Sequence, residues 1–186
     1  MKKLILSIMT SLDGYMEGPN KEIDWHVWDS EMEEHMLHFL TNHVDAILLG
    51  RRAYQLMADY WPSSSDSIAP AMNKLPKIVF SKTLNSTDWN NSRIVKDNIE
   101  GEIKKLKAHG DKDLVLFGGA DITASFIKLN LIDEYQVIIN PVVLIAGKPA
   151  FNLNTKFNLK LVNTKTFRCG NVIHYYHPEK DALTKP

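Results

Sequence analysis

The chain has 186 residues, 44% of them hydrophobic and 24% charged, with 22 basic and 22 acidic side chains in balance. That length supports one domain burying roughly 70% of the surface its unfolded chain exposes, and the composition is that of an ordinary globular chain rather than a disordered one. Zero net charge excludes a general pull toward nucleic acid or an anionic bilayer, and the single Cys169 excludes an internal disulfide and a multi-cysteine metal site, so a reducing cytoplasm is the expected setting.

The opening MKKLILSIMTSLDG has the lysines and apolar run of a signal peptide, but the run is short and lacks a small-residue cleavage site, so it reads as a buried first strand from Lys3 to Met9. No stretch approaches the ~20 apolar residues that cross a bilayer. The loop TSLDGYMEGPN follows, with Asp13, Gly14, Tyr15 and Gly18. It can lie over a flat ring with Asp13 facing a carboxamide, and a plain turn is equally consistent. Trp25, Trp28 and the acids Asp24 and Asp29 come next, a mixture that suits a planar heterocycle or a piece of core. A helix then carries Met32, Met36, Phe39, Leu40 and His43 at intervals of three and four, opened by Asp29 or Ser30 as cap. Glu31, His35 and His38 share one face of it, a spacing that a metal site or a solvated polar face explains; no metal is assigned.

Asp45 to Gly50 is the second strand, running into Arg51-Arg52 at a helix start, and Ser63 to Ser67 (SSSDS) reads as a surface loop placed to act as a lid. Lys77 to Ser81 is the third strand. Asn98 to His109 is a helix with Ile99, Ile103 and Leu106 inward, stopped at Gly110. The strand Asp113 to Gly118 leads to a helix from Asp121 to Leu129, with Ile122, Phe126 and Leu129 inward. Glu134 to Leu144 reads as one long strand, and Leu159 to Phe167 with Val172 to His177 as an antiparallel hairpin turning at Arg168 to Asn171.

Strands alternating with helices predict a three-layer α/β/α domain on a central mixed sheet, closed by the C-terminal antiparallel hairpin. Residues 1–178 form the single domain, and the charged tail 179–186 is expected to fray.

Three turns close apolar runs and share the chemistry of phosphate binding. Gly50 lets an anion approach the backbone beside Arg51 and Arg52, whose guanidinium forks suit a phosphate, although two solvated cations after a strand read the same way. Gly118-Gly119, with Ala120 and Asp121 at the following helix start and Thr123 and Ser125 offering hydroxyls, suits a pyrophosphate or a close strand-to-helix turn. Ser81, Lys82 and Thr83 suit a 2′-phosphate on an adenosine ribose, which favours NADP over NAD. Neither GxxxxGK[ST] nor GxGxxG is present, so this is not a Walker or Rossmann site.

In order along the chain, SLDGY (Ser11 to Tyr15), GRRAY (Gly50 to Tyr54), FSKTL (Phe80 to Leu84), LFGGA (Leu116 to Ala120) and LIDEYQVIINPVVL (Leu131 to Leu144) resemble the dihydrofolate-reductase-like superfamily. The resemblance is greatest to stand-alone relatives of the reductase domain of bacterial riboflavin biosynthesis. It implies NADPH across the strand ends and hydride transfer to a small heterocycle, either a pyrimidine such as 5-amino-6-(5-phosphoribosylamino)uracil or a pterin-like ring. By that resemblance Arg51, Arg52, Gly118, Gly119 and Ala120 contact phosphates, Ser81 and Lys82 the adenosine end, and Asp13 with Gly14 the nicotinamide. Tyr15, Trp25 and Trp28 are the substrate-facing candidates. Asp29 and Glu33 fall where folate enzymes place their substrate carboxylate and are the catalytic candidates. The chain departs from the family in having Ile145-Ala146-Gly147 where relatives carry a glycine-rich turn, and it lacks the deaminase HxE and CxxC pair. Homodimers are common in the family, with Glu134 to Leu144 a contributor. The alternative is a non-catalytic nucleotide-binding or regulatory module of the same fold.

Overall fold

Alternating side chains on each central strand must be buried on both faces, and helices supply the cover. In the computed structural model, which describes residues 2–153 and 156–179, β1 (Leu4–Thr10) leads through β2 (Tyr15–Glu17) into α1 (Ser30–His43) and β3 (Val44–Gly50). The chain continues through α2 (Arg51–Tyr60) and α3 (Ala69–Lys74) to β4 (Lys77–Phe80) and β5 (Ser92–Val95), then α4 (Ile99–Ala108) and β6 (Asp113–Leu116). It ends with α5 (Ala120–Lys128), β7 (Glu134–Ile139), β8 (Lys148–Pro149), β9 (Leu159–Thr166) and β10 (Val172–Pro178).

The main sheet has eight strands in the order β5-β4-β3-β6-β1-β7-β10-β9. The first six are mutually parallel, and β10 and β9 add antiparallel, so the sheet is mixed and the predicted hairpin closes it. On one face Ile5, Ile47, Leu49, Val79 and Val115 pack against Phe39 and Leu40 of α1, Tyr54 of α2 and Met72 of α3. On the other, Leu4, Leu6, Leu48, Ile78, Leu114 and Leu116 pack against Ile103 of α4 and Phe126 and Ile127 of α5. This is the three-layer α/β/α arrangement that the strand and helix alternation predicts. Among the described residues no helix is long and apolar enough to cross a membrane.

Local chemistry sets the helix ends. Asp29 caps α1 by accepting from the Met32 N–H at 2.8 Å, and Asn98, in a left-handed conformation, caps α4 by accepting from Gly101 N–H at 3.0 Å. Two expectations need correction. The run Glu134 to Leu144 stops as a strand at Ile139, because the buried Asn140 turns its side chain to the Val27 N–H (2.9 Å) and the Thr10 carbonyl (3.2 Å), and Pro141 has no N–H for a ladder. Leu129 is the C-cap of α5 and points outward, 37% exposed; the buried set on that helix is Ala120, Thr123, Phe126 and Ile127. The short β5, α3 and the two-stranded ribbon of β2 with β8 were not anticipated. Of the tail expected to fray, only Glu179 is among the described residues.

Candidate active site

The neighbouring parallel strands β3 and β6 send their following helices to opposite faces, α2 to one and α5 to the other. A crevice therefore opens beyond their carboxyl ends, the place where open α/β sheets bind ligands. The Gly50 N–H donates to the Gly118 carbonyl at 3.0 Å across it. Both glycines are required by geometry. A side chain on Gly50 would begin 2.9 Å from Ile122 Cγ2, and Gly118 has φ +89, with Met16 Cε 3.2 Å from where its side chain would start.

Neither helix facing this crevice has a side-chain cap: α2 begins after Gly50 and α5 after Gly119. Their first-turn N–H groups have no partner inside the helix and carry the positive end of the helix dipole. A side chain on Gly119 would meet nothing within 4 Å, so the space before α5 is open. A cavity of about 280 Å³ occupies it, lined by Gly50, Arg51, Arg52, Phe80, Ser81, Thr83, Gly119, Ala120, Asp121, Ile122 and Ser125, with Glu17 and Lys148 from the ribbon. That volume lies at the small end of the roughly 300–1,000 Å³ of small-molecule sites. That is room for a ligand fragment smaller than a whole dinucleotide.

The three sequence-predicted turns thus meet at one rim. Arg51 Nη1 donates to Thr83 Oγ1 at 2.8 Å, linking the start of α2 to the turn after β4. Ser81 Oγ accepts from the Leu84 N–H at 3.0 Å and the Thr83 N–H at 3.3 Å and so shapes that turn. Lys82 sits exposed at its tip, between two residues that line the cavity. Thr123 lies beneath the glycines, 1% exposed, and its Oγ1, 3.8 Å from where a side chain on Gly118 would begin, has no hydrogen-bond partner. Arg52 pairs with Glu17 at 2.7 Å and Lys148 with Asp121 at 2.8 Å. Pairs this exposed contribute roughly 0.2–1 kcal/mol each. Sequence reasoning missed Glu17 and Lys148, because a ribbon of five residues leaves no periodic signal. The Gly147-Lys148 pair after PVVL was the available clue.

Other candidates lie outside the cavity. Asp13 accepts from Ser11 Oγ (2.7 Å) and from the N–H groups of Ile145 (2.8 Å) and Leu144 (3.1 Å), and these bonds, the Ser11 hydroxyl foremost, hold its carboxyl below the usual carboxylate range. It braces two loops together. Gly14, at φ +87, accepts from the Ala150 N–H at 2.9 Å, and the Tyr15 hydroxyl donates to the Ile145 carbonyl at 3.3 Å. Asp29 is engaged as the α1 cap, and Glu33 accepts from the Ser67 hydroxyl, which also ties the SSSDS loop to α1 rather than over the cavity. Trp25 Nε1 donates to the Glu22 carbonyl at 3.1 Å, and Trp28 is 42% exposed. This segment is fastened through Val27 to Asn140 and Asn171, beyond β1 and β7 on the same edge of the sheet as the cavity. Glu31 binds Arg168 and His35 meets Lys165 and Tyr175, and among the described residues no group of three or more potential ligands could hold a metal.

An eight-stranded mixed sheet covered by helices on both faces, with a crevice at a switch of strand order, defines a three-layer α/β domain. The chain belongs to the RibD C-terminal domain family, which it matches over residues 2–175. It is 40% identical over 182 residues to the uncharacterized protein YyaP of Bacillus subtilis, covering 95% of each chain. Its fold is that of a putative riboflavin biosynthesis protein from Shewanella (TM-score 0.80, 23% identity, 96% of this chain and 99% of that one). A pyrimidine reductase-like protein of Corynebacterium diphtheriae shares it too, with TM-score 0.71, 14% identity, and 97% and 93% of the two chains covered.

Proposed function

We propose that this protein is an NADPH-dependent reductase acting on a small heterocycle, a pyrimidine or a pterin-like ring. The observation that carries the reading is the convergence of two uncapped helix N-termini on one crevice, with Arg51, Arg52 and open space over Gly119. Free amides, fixed guanidinium forks and the absence of a Cβ are what a pyrophosphate requires. The unpartnered Thr123 hydroxyl beneath the glycines adds a polar group awaiting a partner. When bound, NADPH supplies a hydride for a C=N or C=O bond of the substrate.

The residues have separate tasks. The first turns of α2 and α5 with Arg51 and Arg52 bind the pyrophosphate, and Ser81, Lys82 and Thr83 receive the adenosine ribose and its 2′-phosphate. Phe80 and Ile122 supply apolar wall to the cavity. Asp13 holds the loop after β1 rigid, and Gly14 and Tyr15 on that loop form the side toward the nicotinamide and substrate, with Trp25 and Trp28 further along the same edge. The protein thereby acts mainly by positioning. Asp29 and Glu33 remain the candidate carboxylates for the chemistry, Asp29 with one oxygen on the Met32 N–H and Glu33 with one on the Ser67 hydroxyl, both outside the phosphate cavity.

The same reading makes the protein a cytoplasmic homodimer. Strand β7 lies inside the sheet, so its backbone cannot form the contact; β9 is the outer strand and exposes Leu161 and Val162. Steady oxidation of NADPH with a pyrimidine or pterin substrate tests the enzymatic claim. The second reading, a nucleotide-binding module without turnover, is favoured by the engagement of Asp29 and Glu33. Saturable NADPH binding with no oxidation across those substrates would establish it instead.

A further inference from the structure

The ribbon of β2 and β8 spans the crevice and is stapled to both helices that frame it. Glu17 at the end of β2 pairs with Arg52 in the first turn of α2, and Lys148 at the start of β8 pairs with Asp121 in the first turn of α5. Met16, one residue before Glu17, lies over Gly118. The ribbon strands are too close for a side chain at Gly147, where one would begin 2.0 Å from the Glu17 carbonyl oxygen. Each pair therefore joins a ribbon residue to a helix residue across the space where an anion would sit.

Asp121 is the anomaly. Its carboxylate stands at the uncapped start of α5, where the amides and dipole favour negative charge, yet its side chain is 85% exposed and has Lys148 as its ion-pair partner. An incoming phosphate would compete with it for the same cation and carries more charge in a more compact group.

We propose that Lys148 is a ligand of the bound phosphates and that Asp121 is its place-holder, pairing with it until a phosphate replaces the carboxylate; this rests on the reading of the crevice as a dinucleotide phosphate site. The two members of one ion pair then have opposite effects on binding. Removing the Lys148 charge removes a contact, whereas removing the Asp121 charge removes a competitor. A pair whose role is only to fasten the ribbon would give losses of the same sign from both.

Calorimetric titration of the full chain with NADPH, and separately with inorganic pyrophosphate, distinguishes these at two salt concentrations. Lys148→Gln is expected to weaken binding about fivefold to tenfold and to flatten its salt dependence, while Lys148→Arg retains most of the affinity. Asp121→Asn is expected to tighten binding about twofold to fivefold. Losses of the same sign in Lys148→Gln and Asp121→Asn, with wild type binding NADPH, overturn the place-holder and leave the dinucleotide reading standing. Opposite signs seen with pyrophosphate in a protein that does not bind NADPH support the place-holder and overturn the dinucleotide reading. Wild type that binds neither probe overturns both.

Discussion

Gly50→Ala tests the close approach that builds the crevice. The new methyl would lie 2.9 Å from Ile122 Cγ2 and 3.3 Å from its Cβ, inside the about 3.5–4.0 Å at which two carbons rest. Ile122 is β-branched on a helix and has little rotamer freedom to retreat, and Phe126 and Ile127, 0% and 2% exposed, anchor α5 behind it. Overpacking of this kind costs about 1–3 kcal/mol. The backbone at Gly50, φ −78 and ψ 165, suits alanine, so a gain of about 0.4–1 kcal/mol from the stiffer unfolded chain offsets part of it. A net loss of about 1–2 kcal/mol should appear as a lower urea midpoint, and as a melting midpoint lowered by about 2–4 °C per kcal/mol. Ile122→Ala opens the space, so the double variant should be more stable than the sum of the single losses by about 1 kcal/mol. Strictly additive losses, or a Gly50→Ala protein as stable as wild type, would refute the packing of β3 against α5 and the crevice built on it.

Gly119→Ala places its methyl in open space, so its melting midpoint should fall less than that of Gly50→Ala while NADPH affinity drops at least about tenfold by calorimetry; retained affinity would remove the pyrophosphate from this turn. Lys82→Ala should weaken NADPH more than NADH, and equal losses for both would remove Lys82 from the 2′-phosphate. Burial pushes the imidazoles of His26 and His35 down to about 4, His35 being lowered also by Lys165 and His38. The unfolded chain takes up protons below its ordinary value of 6.5 that the fold refuses until about 4, so stability is complete above that ordinary value and declines as pH falls toward 4. His26, whose Nε2 is buried without a partner, should contribute up to about 1.4 kcal/mol per pH unit. Urea midpoints measured through this window should decline, and His26→Gln should flatten the decline; a flat wild-type profile would contradict the assignment.

Elements whose signal is local were legible in the sequence. The five apolar runs (the last only as far as Ile139), the Asp29 cap and the Arg168 to Asn171 turn each depend on residues next to one another, and the structure has them in place. The three phosphate-suited turns were visible as glycines, cations and hydroxyls after strands, but their meeting depends on β3 and β6 being neighbours although 62 residues, Arg51 to Lys112, lie between the end of one and the start of the other, and each strand is followed by a different helix. The ribbon was invisible because β2 and β8 have three and two residues and are defined only by each other. Glu17 and Lys148, which it carries into the cavity, went unread for the same reason. Asp29 was legible in the sequence as a candidate cap, and the 2.8 Å bond from the Met32 N–H is that cap; its catalytic assignment came from the resemblance alone and stays a proposal.

The most direct test is a thermal-stability titration with NADPH. A single site facing the crevice predicts a melting midpoint that rises with NADPH, with about 2.7 kcal/mol of added stability at 100 times its Kd, and a response greatly reduced in Gly119→Ala. A midpoint that stays fixed at every NADPH concentration, in a protein that remains folded, would contradict the account.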